Sequence, residues 1–151
     1  MDAVPDFEDM LRALHHHGVR YLIIGGLAVT FHARPRYTKD MDLWIDPEPE
    51  NVQRANRALA DFGSPTLLTE GELDQVLQIG LPPNRIDLLL EPGPVAFVDA
   101  WSDRVESTYG NASANWIGLE ALLAIKSSLD GPRHVDDARV LREVKRRRSQ
   151  G

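Results

Sequence analysis

The stretch that decides the fold is IIGGLAVTFHARPRYTKDMDLWID, residues 23–46. The apolar run Tyr21–Ile24 predicts a short buried strand, which ends at a pair of glycines. The segment LAVTFHA just beyond the glycines can start a helix, and the proline-containing segment after it predicts a loop. Met41–Ile45 then predicts a second strand. This order, from strand through glycine turn and helix to strand, is the centre from which the rest of the chain is interpreted.

Helices open and close the chain, and strands fill its middle. Apolar periodicity and stop signals predict helices over residues 5–17, 50–62, 119–129 and 135–147. Apolar runs predict strands over residues 76–80 and 85–90, and residues 95–109 have room for a short helix and a strand. Four or five short strands between such helices predict an α/β fold, a short mixed β-sheet flanked by helices. The chain lacks the G-x-G-x-x-G and P-loop patterns of two common nucleotide-binding classes.

Composition indicates one globular domain over residues 1–151. The chain is 42% hydrophobic and 26% charged, enough apolar side chain for a core. It has no cysteine, which excludes disulfide scaffolds, thiol nucleophiles and thiolate zinc sites. No apolar run is long enough to span a bilayer, and the N-terminus is acidic where a signal peptide would be basic. We therefore expect a cytoplasmic protein without membrane contact.

The charge is unevenly distributed. The net charge is −6, which argues against holding nucleic acid by backbone electrostatics alone. Between Arg133 and Arg148, however, seven basic residues face three acidic ones, a local excess of +4. A basic C-terminal helix on an acidic body keeps an RNA partner possible.

Three aspartates are candidate metal ligands. Asp40 and Asp42 stand at positions i and i+2 of the second strand, so they point to one face with Cα atoms about 6.5 Å apart. Asp87 lies in the apolar strand RIDLLL, where a charge is costly unless it is paired. If the two strands are neighbours, the three carboxylates form a cluster suited to Mg²⁺ or Mn²⁺. The alternative is that Asp40 is a turn residue, that Asp42 is an exposed strand residue, and that Asp87 pairs with Arg85 or another basic residue.

The glycine pair has two interpretations as well. Gly25 and Gly26 stand where a strand passes into a helix, so a ligand can approach the backbone there, and the helix N-terminus attracts phosphate. The second interpretation is structural, because a tight turn with a positive φ also favours glycine.

These residues carry a family resemblance. Residues 23–46 resemble the signature of the polymerase-β-like nucleotidyltransferase superfamily, a strand, a Gly-Gly or Gly-Ser turn, a helix and a D-x-D strand. The nearer resemblance is to small bacterial AbiEii-type nucleotidyltransferase toxin proteins, through Gly25, Gly26, Ala28, His32, Arg36, Thr38, Asp40 and Asp42. Downstream, RIDLLL is similar to the family's third-carboxylate strand. The segment of residues 118–141 resembles its C-terminal element through Lys126, Arg133, Asp136 and Asp137.

The resemblance implies a minimal nucleotidyltransferase fold that transfers a nucleoside monophosphate from an NTP and releases pyrophosphate. It implies a metal site for Mg²⁺ or Mn²⁺ at Asp40, Asp42 and Asp87, with Asp87 also helping to deprotonate the acceptor hydroxyl. It implies nucleotide contacts at Gly25, Gly26, Arg36, Thr38, Lys39 and Lys126. For Lys126, a solvated helix position is the alternative.

Several partners and functions stay open at this point. The acceptor could be a protein, a tRNA or a small molecule such as an antibiotic, and the resemblance to toxins implies a cognate antitoxin or other protein partner. Many superfamily members have Ser where this chain has Gly26, which motivates a non-catalytic binding or regulatory module as the alternative. A metal-dependent nuclease is a weaker alternative, because D-x-D with a third Asp also suits phosphodiester hydrolysis.

Overall fold

The computed structural model describes residues 3–33, 35, 40–81 and 84–150. Within these ranges the chain forms α1 (Pro5–His16), β1 (Tyr21–Ile24), α2 (Gly25–His32), β2 (Asp40–Ile45), α3 (Pro49–Phe62), β3 (Val76–Ile79), β4 (Arg85–Leu89), α4 (Phe97–Ser102), β5 (Val105–Tyr109), β6 (Ala112–Trp116), α5 (Leu119–Ser127) and α6 (Pro132–Gln150). None of the helices in these ranges is long and apolar enough to cross a bilayer.

The strands form one mixed sheet in the order β3-β4-β2-β1-β6-β5. β2 runs parallel to β4 and β1 runs parallel to β6, whereas the other neighbours are antiparallel. Helices α1 and α3 pack together against the sheet, and α2, α5 and α6 form a second helical layer. The expected α/β class, a mixed sheet flanked by helices, is confirmed.

The number of strands differs from the expectation of four or five, because the described ranges contain six. The strand that the pattern missed is β6, with the sequence ASANW. Alanine and asparagine, which fill three of its five positions, are depleted in strands, so its composition carries only a weak strand signal. Pairing defines it instead: β6 runs beside β1 on one side and forms a hairpin with β5 on the other.

The inner strands carry the core. Tyr21, Leu43 and Ile45 are fully buried, and Trp44 is nearly so. Leu11 and Leu14 of α1 are also fully buried, as the amphipathic spacing predicts. The sheet centre is therefore rigid, and the ends of β1, β2 and β4 are held in a fixed register.

A buried asparagine bonds the backbone at the start of β1 and at the end of β2. Asn51, at the start of α3, has no exposed surface. Its side chain accepts a hydrogen bond from the N–H of Arg20 and donates to the carbonyls of Arg20 and Asp46. These bonds satisfy backbone groups at the end of the sheet opposite the glycine turn, and they fix β1 against β2.

Candidate active site

The parallel pairing of β2 and β4 brings the three aspartates to one edge of the sheet. Asp42 stands directly opposite Asp87, and Asp40 stands opposite Arg85. The expectation that the two strands are neighbours is therefore confirmed. We call Asp40, Asp42 and Asp87 the carboxylate edge.

Two members of the carboxylate edge interact directly. The charges of Asp42 and Asp87 interact, and Asp87 as a whole residue is 7% exposed. Burial, and then the negative charges of Asp87 and Asp40, raise the pKa of Asp42 to about 6. Nearby Lys126 acts in the opposite direction without cancelling the shift. The ionised form of Asp42 is therefore unfavourable in the folded protein.

Arg85 bonds two of the three carboxylates. Its Nε donates to Asp87 Oδ1 at 2.9 Å, and its Nη2 donates to Asp87 Oδ2 at 3.1 Å and to Asp40 Oδ2 at 3.2 Å. The hydrogen bonds to Asp87, and then its charge, raise the pKa of Arg85. The pairing of Asp87 with Arg85, the alternative weighed from the sequence, is therefore present. The sequence carried a signal for it, since the two residues are two apart in one strand and share a face.

Gly25 packs directly against the carboxylate edge. Its φ is +70°, a conformation that L side chains rarely adopt. A Cβ at this position would lie 2.1 Å from Asp42 Oδ2, so only glycine leaves that carboxylate its place. Gly26 is buried in the first turn of α2, which begins at Gly25 itself rather than just beyond the glycines. Both interpretations of the pair meet here, because the tight turn is also the place where the backbone comes closest to the acids.

Lys126 faces the carboxylate edge from the helical layer. It is only 4% exposed, so the alternative of a solvated helix position is wrong. Its Nζ lies 3.1 Å from Asp137 Oδ2 and 3.2 Å from His134 Nδ1, both on α6. Asp137 is 2% exposed. Sequence reasoning missed this partnership, because the pairing depends on how α5 and α6 pack.

A cavity of about 230 Å³ separates the two groups of charges. Gly25 and Asp42 line it from the sheet, and Lys126 and His134 line it from the helices. Its remaining wall is apolar, formed by Ile24, Leu89, Pro92, Leu122, Ile125 and Leu129. A ligand in this cavity would meet an acid, a base and an apolar surface together. The predicted nucleotide-binding residues Arg36, Thr38 and Lys39 lie outside the described residues.

Comparison with known proteins places the fold. LnuA, a lincosamide antibiotic adenylyltransferase bound to lincomycin, matches with a TM-score of 0.63 at 18% identity, over 95% of this chain and 99% of that chain. ANT(2")-Ia, in complex with adenylyl-2"-tobramycin, matches with a TM-score of 0.60 at 16% identity, over 95% and 93%. The chain has the nucleotidyltransferase fold.

A third similar structure is a Thermotoga maritima protein proposed to be a nucleotidyltransferase. It matches with a TM-score of 0.58 at 17% identity, over 91% of this chain and 88% of that chain. No protein-family model matches the chain, and no curated protein matches it either. At these identities the likeness concerns the fold alone.

The chemistry of the carboxylate edge fits a divalent cation. Carboxylate oxygens are the ligands that Mg²⁺ prefers, and burial, followed by the charges of Asp87 and Asp40, raises the pKa of Asp42. Across residues 3–33, 40–81 and 84–150, no three acidic or histidine side chains are arranged to hold a metal ion. Arg85 instead holds Asp40 and Asp87. The three carboxylates therefore have the ligand type and the charge that a divalent ion needs, and in this structure the guanidinium of Arg85 bonds two of them.

Proposed function

We propose that this protein is a nucleotidyltransferase that moves a nucleoside monophosphate from an NTP to a hydroxyl group of its acceptor. The observation that carries the proposal is the register of β2 and β4, which sets Asp42 opposite Asp87 beside the Gly25 turn. The nucleotidyltransferase fold supports it.

In this reaction the oxygen of the acceptor forms a bond to the α-phosphorus, and the bond from that phosphorus to the bridging oxygen breaks. Pyrophosphate leaves with the electron pair of the broken bond. Asp40, Asp42 and Asp87 would hold Mg²⁺ or Mn²⁺, which would neutralise charge on the triphosphate and activate the attacking oxygen. Asp87 accepts the proton of the acceptor hydroxyl.

The remaining roles follow from the family resemblance. Gly25 and Gly26 offer backbone N–H groups to the triphosphate at the start of α2. Arg36, Thr38 and Lys39 precede β2 in the chain and supply donors to the same anion. Lys126, buried across the cavity from Asp42, adds a cation on the other side. These assignments make up the proposed nucleotide site.

For the acceptor we propose a small molecule with a free hydroxyl. LnuA is an antibiotic adenylyltransferase, and ANT(2")-Ia carries an adenylylated tobramycin, so both neighbours support that class. A tRNA or a protein acceptor, with a cognate antitoxin as partner, is what the AbiEii-type resemblance adds, and a cytoplasmic location is what the composition adds. The basic C-terminal half of α6 is the feature that a tRNA would use.

The test is calorimetric titration of each NTP in the presence of Mg²⁺. We expect metal-dependent binding of at least one NTP by the wild type and none by Asp40→Asn/Asp42→Asn. The matched control is Asp74→Asn/Asp99→Asn, which makes the same chemical change at two exposed positions away from the carboxylate edge. Equal NTP binding by the wild type and Asp40→Asn/Asp42→Asn would contradict the proposal.

One observation favours a second function, a non-catalytic module that acts through a protein partner. The guanidinium of Arg85 already neutralises part of the carboxylate edge, as it would in a protein that needs no metal there. In the same titration, absence of binding by every NTP would support the module. Binding of Mg²⁺ without any NTP would support the nuclease instead.

A further inference from the structure

We propose that Arg85 is a positioning residue that competes with the divalent ion, and that its guanidinium must leave Asp40 and Asp87 before the ion can bind. This inference rests on the proposed function, because it assumes that the carboxylate edge binds metal. It adds a residue that the family resemblance did not place in the site.

The hydrogen bonds of Arg85 occupy the atoms that a metal would need. Both oxygens of Asp87 accept from the guanidinium, at 2.9 Å and 3.1 Å, and Asp40 Oδ2 accepts at 3.2 Å. A guanidinium that bonds a carboxylate through two donors is held by charge and by geometry together. Asp42, which stands opposite Asp87 on the neighbouring strand, is the member of the edge that Arg85 does not bond in this way.

The backbone sets Arg85 in this place. On β4 it precedes Asp87 by two residues, so both side chains leave the same face of the strand. Across the parallel pairing it stands opposite Asp40. The backbone of β4 therefore places the cation of Arg85 at the carboxylate edge.

The exposure of Arg85 allows the exchange. Its side chain is 29% exposed, against 10% for Asp87, so the guanidinium can turn toward solvent while Asp87 remains in place. Without metal, loss of the guanidinium would remove the cation that bonds both Asp87 and Asp40. With metal, the ion supplies the positive charge and the guanidinium becomes a competitor. Arg85 should thus stabilise the metal-free protein and weaken its affinity for metal.

The test is Mn²⁺ binding, followed by the electron paramagnetic resonance signal of the free ion. We expect Arg85→Gln to bind Mn²⁺ on the order of tenfold more tightly than the wild type, because the ion no longer displaces a paired cation. Arg12→Gln is the matched control, since it removes the same charge from an exposed position on α1. Its Mn²⁺ affinity should stay within about twofold of the wild type.

A second variant and a second readout guard against a poorly folded Arg85→Gln. Arg85→Lys keeps the charge but cannot donate to both oxygens of Asp87 in the same planar geometry, so its Mn²⁺ affinity should lie between the other two. In chelator, the melting temperature of Arg85→Gln should fall below that of the wild type, and added Mn²⁺ should raise it by more. A merely structural role would lower the melting temperature without tightening Mn²⁺ binding.

The possible results distinguish failure of the role of Arg85 from failure of the proposed function. If the wild type and Arg85→Gln bind Mn²⁺ equally and Asp42→Asn does not, the metal site stands and the role of Arg85 is refuted. If none of the Arg85 variants nor the wild type binds Mn²⁺, both proposals fail. Tighter binding by Arg85→Gln, lost again in Arg85→Gln/Asp42→Asn, supports both.

Discussion

Two groups of charged side chains face each other across one cavity, and they differ in burial and in pairing. In the helical layer, Lys126 lies 3.1 Å from Asp137 and both side chains are almost fully buried, so a buried cation is paired with a buried anion. At the carboxylate edge, Arg85 bonds Asp40 and Asp87 with its own side chain 29% exposed, and burial and neighbouring acids raise the pKa of Asp42 to about 6. The helical pair therefore stabilises the packing of α5 on α6. At the carboxylate edge, the ionised form of Asp42 is unfavourable at the place where a cation would bind.

Breaking the helical pair should produce the largest loss of stability. Lys126→Met removes the cation that neutralises Asp137 in a buried site, and we expect the free energy of unfolding to fall by about 3–5 kcal/mol. Urea denaturation at neutral pH measures the change.

The double variant Lys126→Met/Asp137→Leu is its control. It replaces both charges with apolar side chains, so most of the lost stability should return. A change below about 1 kcal/mol in the single variant would mean that the pair behaves like an exposed salt bridge, and the contrast with the carboxylate edge would disappear.

The glycine turn offers a smaller test on the other side of the cavity. Gly25 and Gly18 have similar φ angles, +70° and +65°, but a Cβ at Gly18 would meet nothing within 4 Å. Gly18→Ala should cost about 1–2 kcal/mol for its backbone conformation alone. Gly25→Ala should cost about 1–3 kcal/mol more, because its Cβ displaces the carboxylate of Asp42.

The same displacement should abolish Mn²⁺ binding in Gly25→Ala and leave it intact in Gly18→Ala. Thermal unfolding and Mn²⁺ titration of the two variants give both readouts. Equal stability and equal Mn²⁺ affinity would show that the close approach of Gly25 to Asp42 has no role.

Substitution of Asp42 is expected to change stability in the opposite direction. Since burial and neighbouring acids raise the pKa of Asp42 from 3.8 to about 6, its ionised form is unfavourable in the folded protein. Asp42→Asn removes that charge and keeps a group that can donate to Asp87. In chelator at pH 7.5, we expect it to raise the free energy of unfolding by about 1–3 kcal/mol.

The pH dependence follows from the direction of the shift. Protonation of Asp42 favours the folded state, so the wild type gains stability as the pH falls from above 6 toward 4. The advantage of Asp42→Asn should therefore shrink across that interval and vanish below about pH 4. Asp74→Asn, at an exposed position, should follow the wild type at every pH. An Asp42→Asn variant less stable than the wild type at pH 7.5 would contradict the raised pKa of Asp42.

The contrast also separates what the sequence could predict from what it could not. Runs of apolar residues predicted β1, β2 and β4, and the i, i+2 spacing of Asp40 and Asp42 placed both acids on one face. The position of Asp87 followed once β4 was taken as a neighbour of β2. Such inferences work because burial and strand periodicity are properties of short segments.

Contacts between distant segments were harder to predict. Lys126 and Asp137 lie on different helices, and nothing local to α5 indicates that its lysine is buried. The strand β6 consists of residues with weak strand preference and owes its conformation to β1 and β5. The contacts of Arg85 could be predicted only in part. Its spacing from Asp87 indicated one partner, but its bond to Asp40 depends on the pairing of β2 with β4.

The most direct measurement is anomalous diffraction from crystals of the protein grown with Mn²⁺ and a non-hydrolysable NTP analogue. We predict an anomalous peak for a Mn²⁺ ion that is bound by carboxylate oxygens of Asp42 and Asp87. The phosphates of the analogue should lie beside Gly25, and the guanidinium of Arg85 should have moved away from Asp87. A structure in which Arg85 still bonds Asp40 and Asp87, with no Mn²⁺ at the carboxylate edge, would contradict the proposed site.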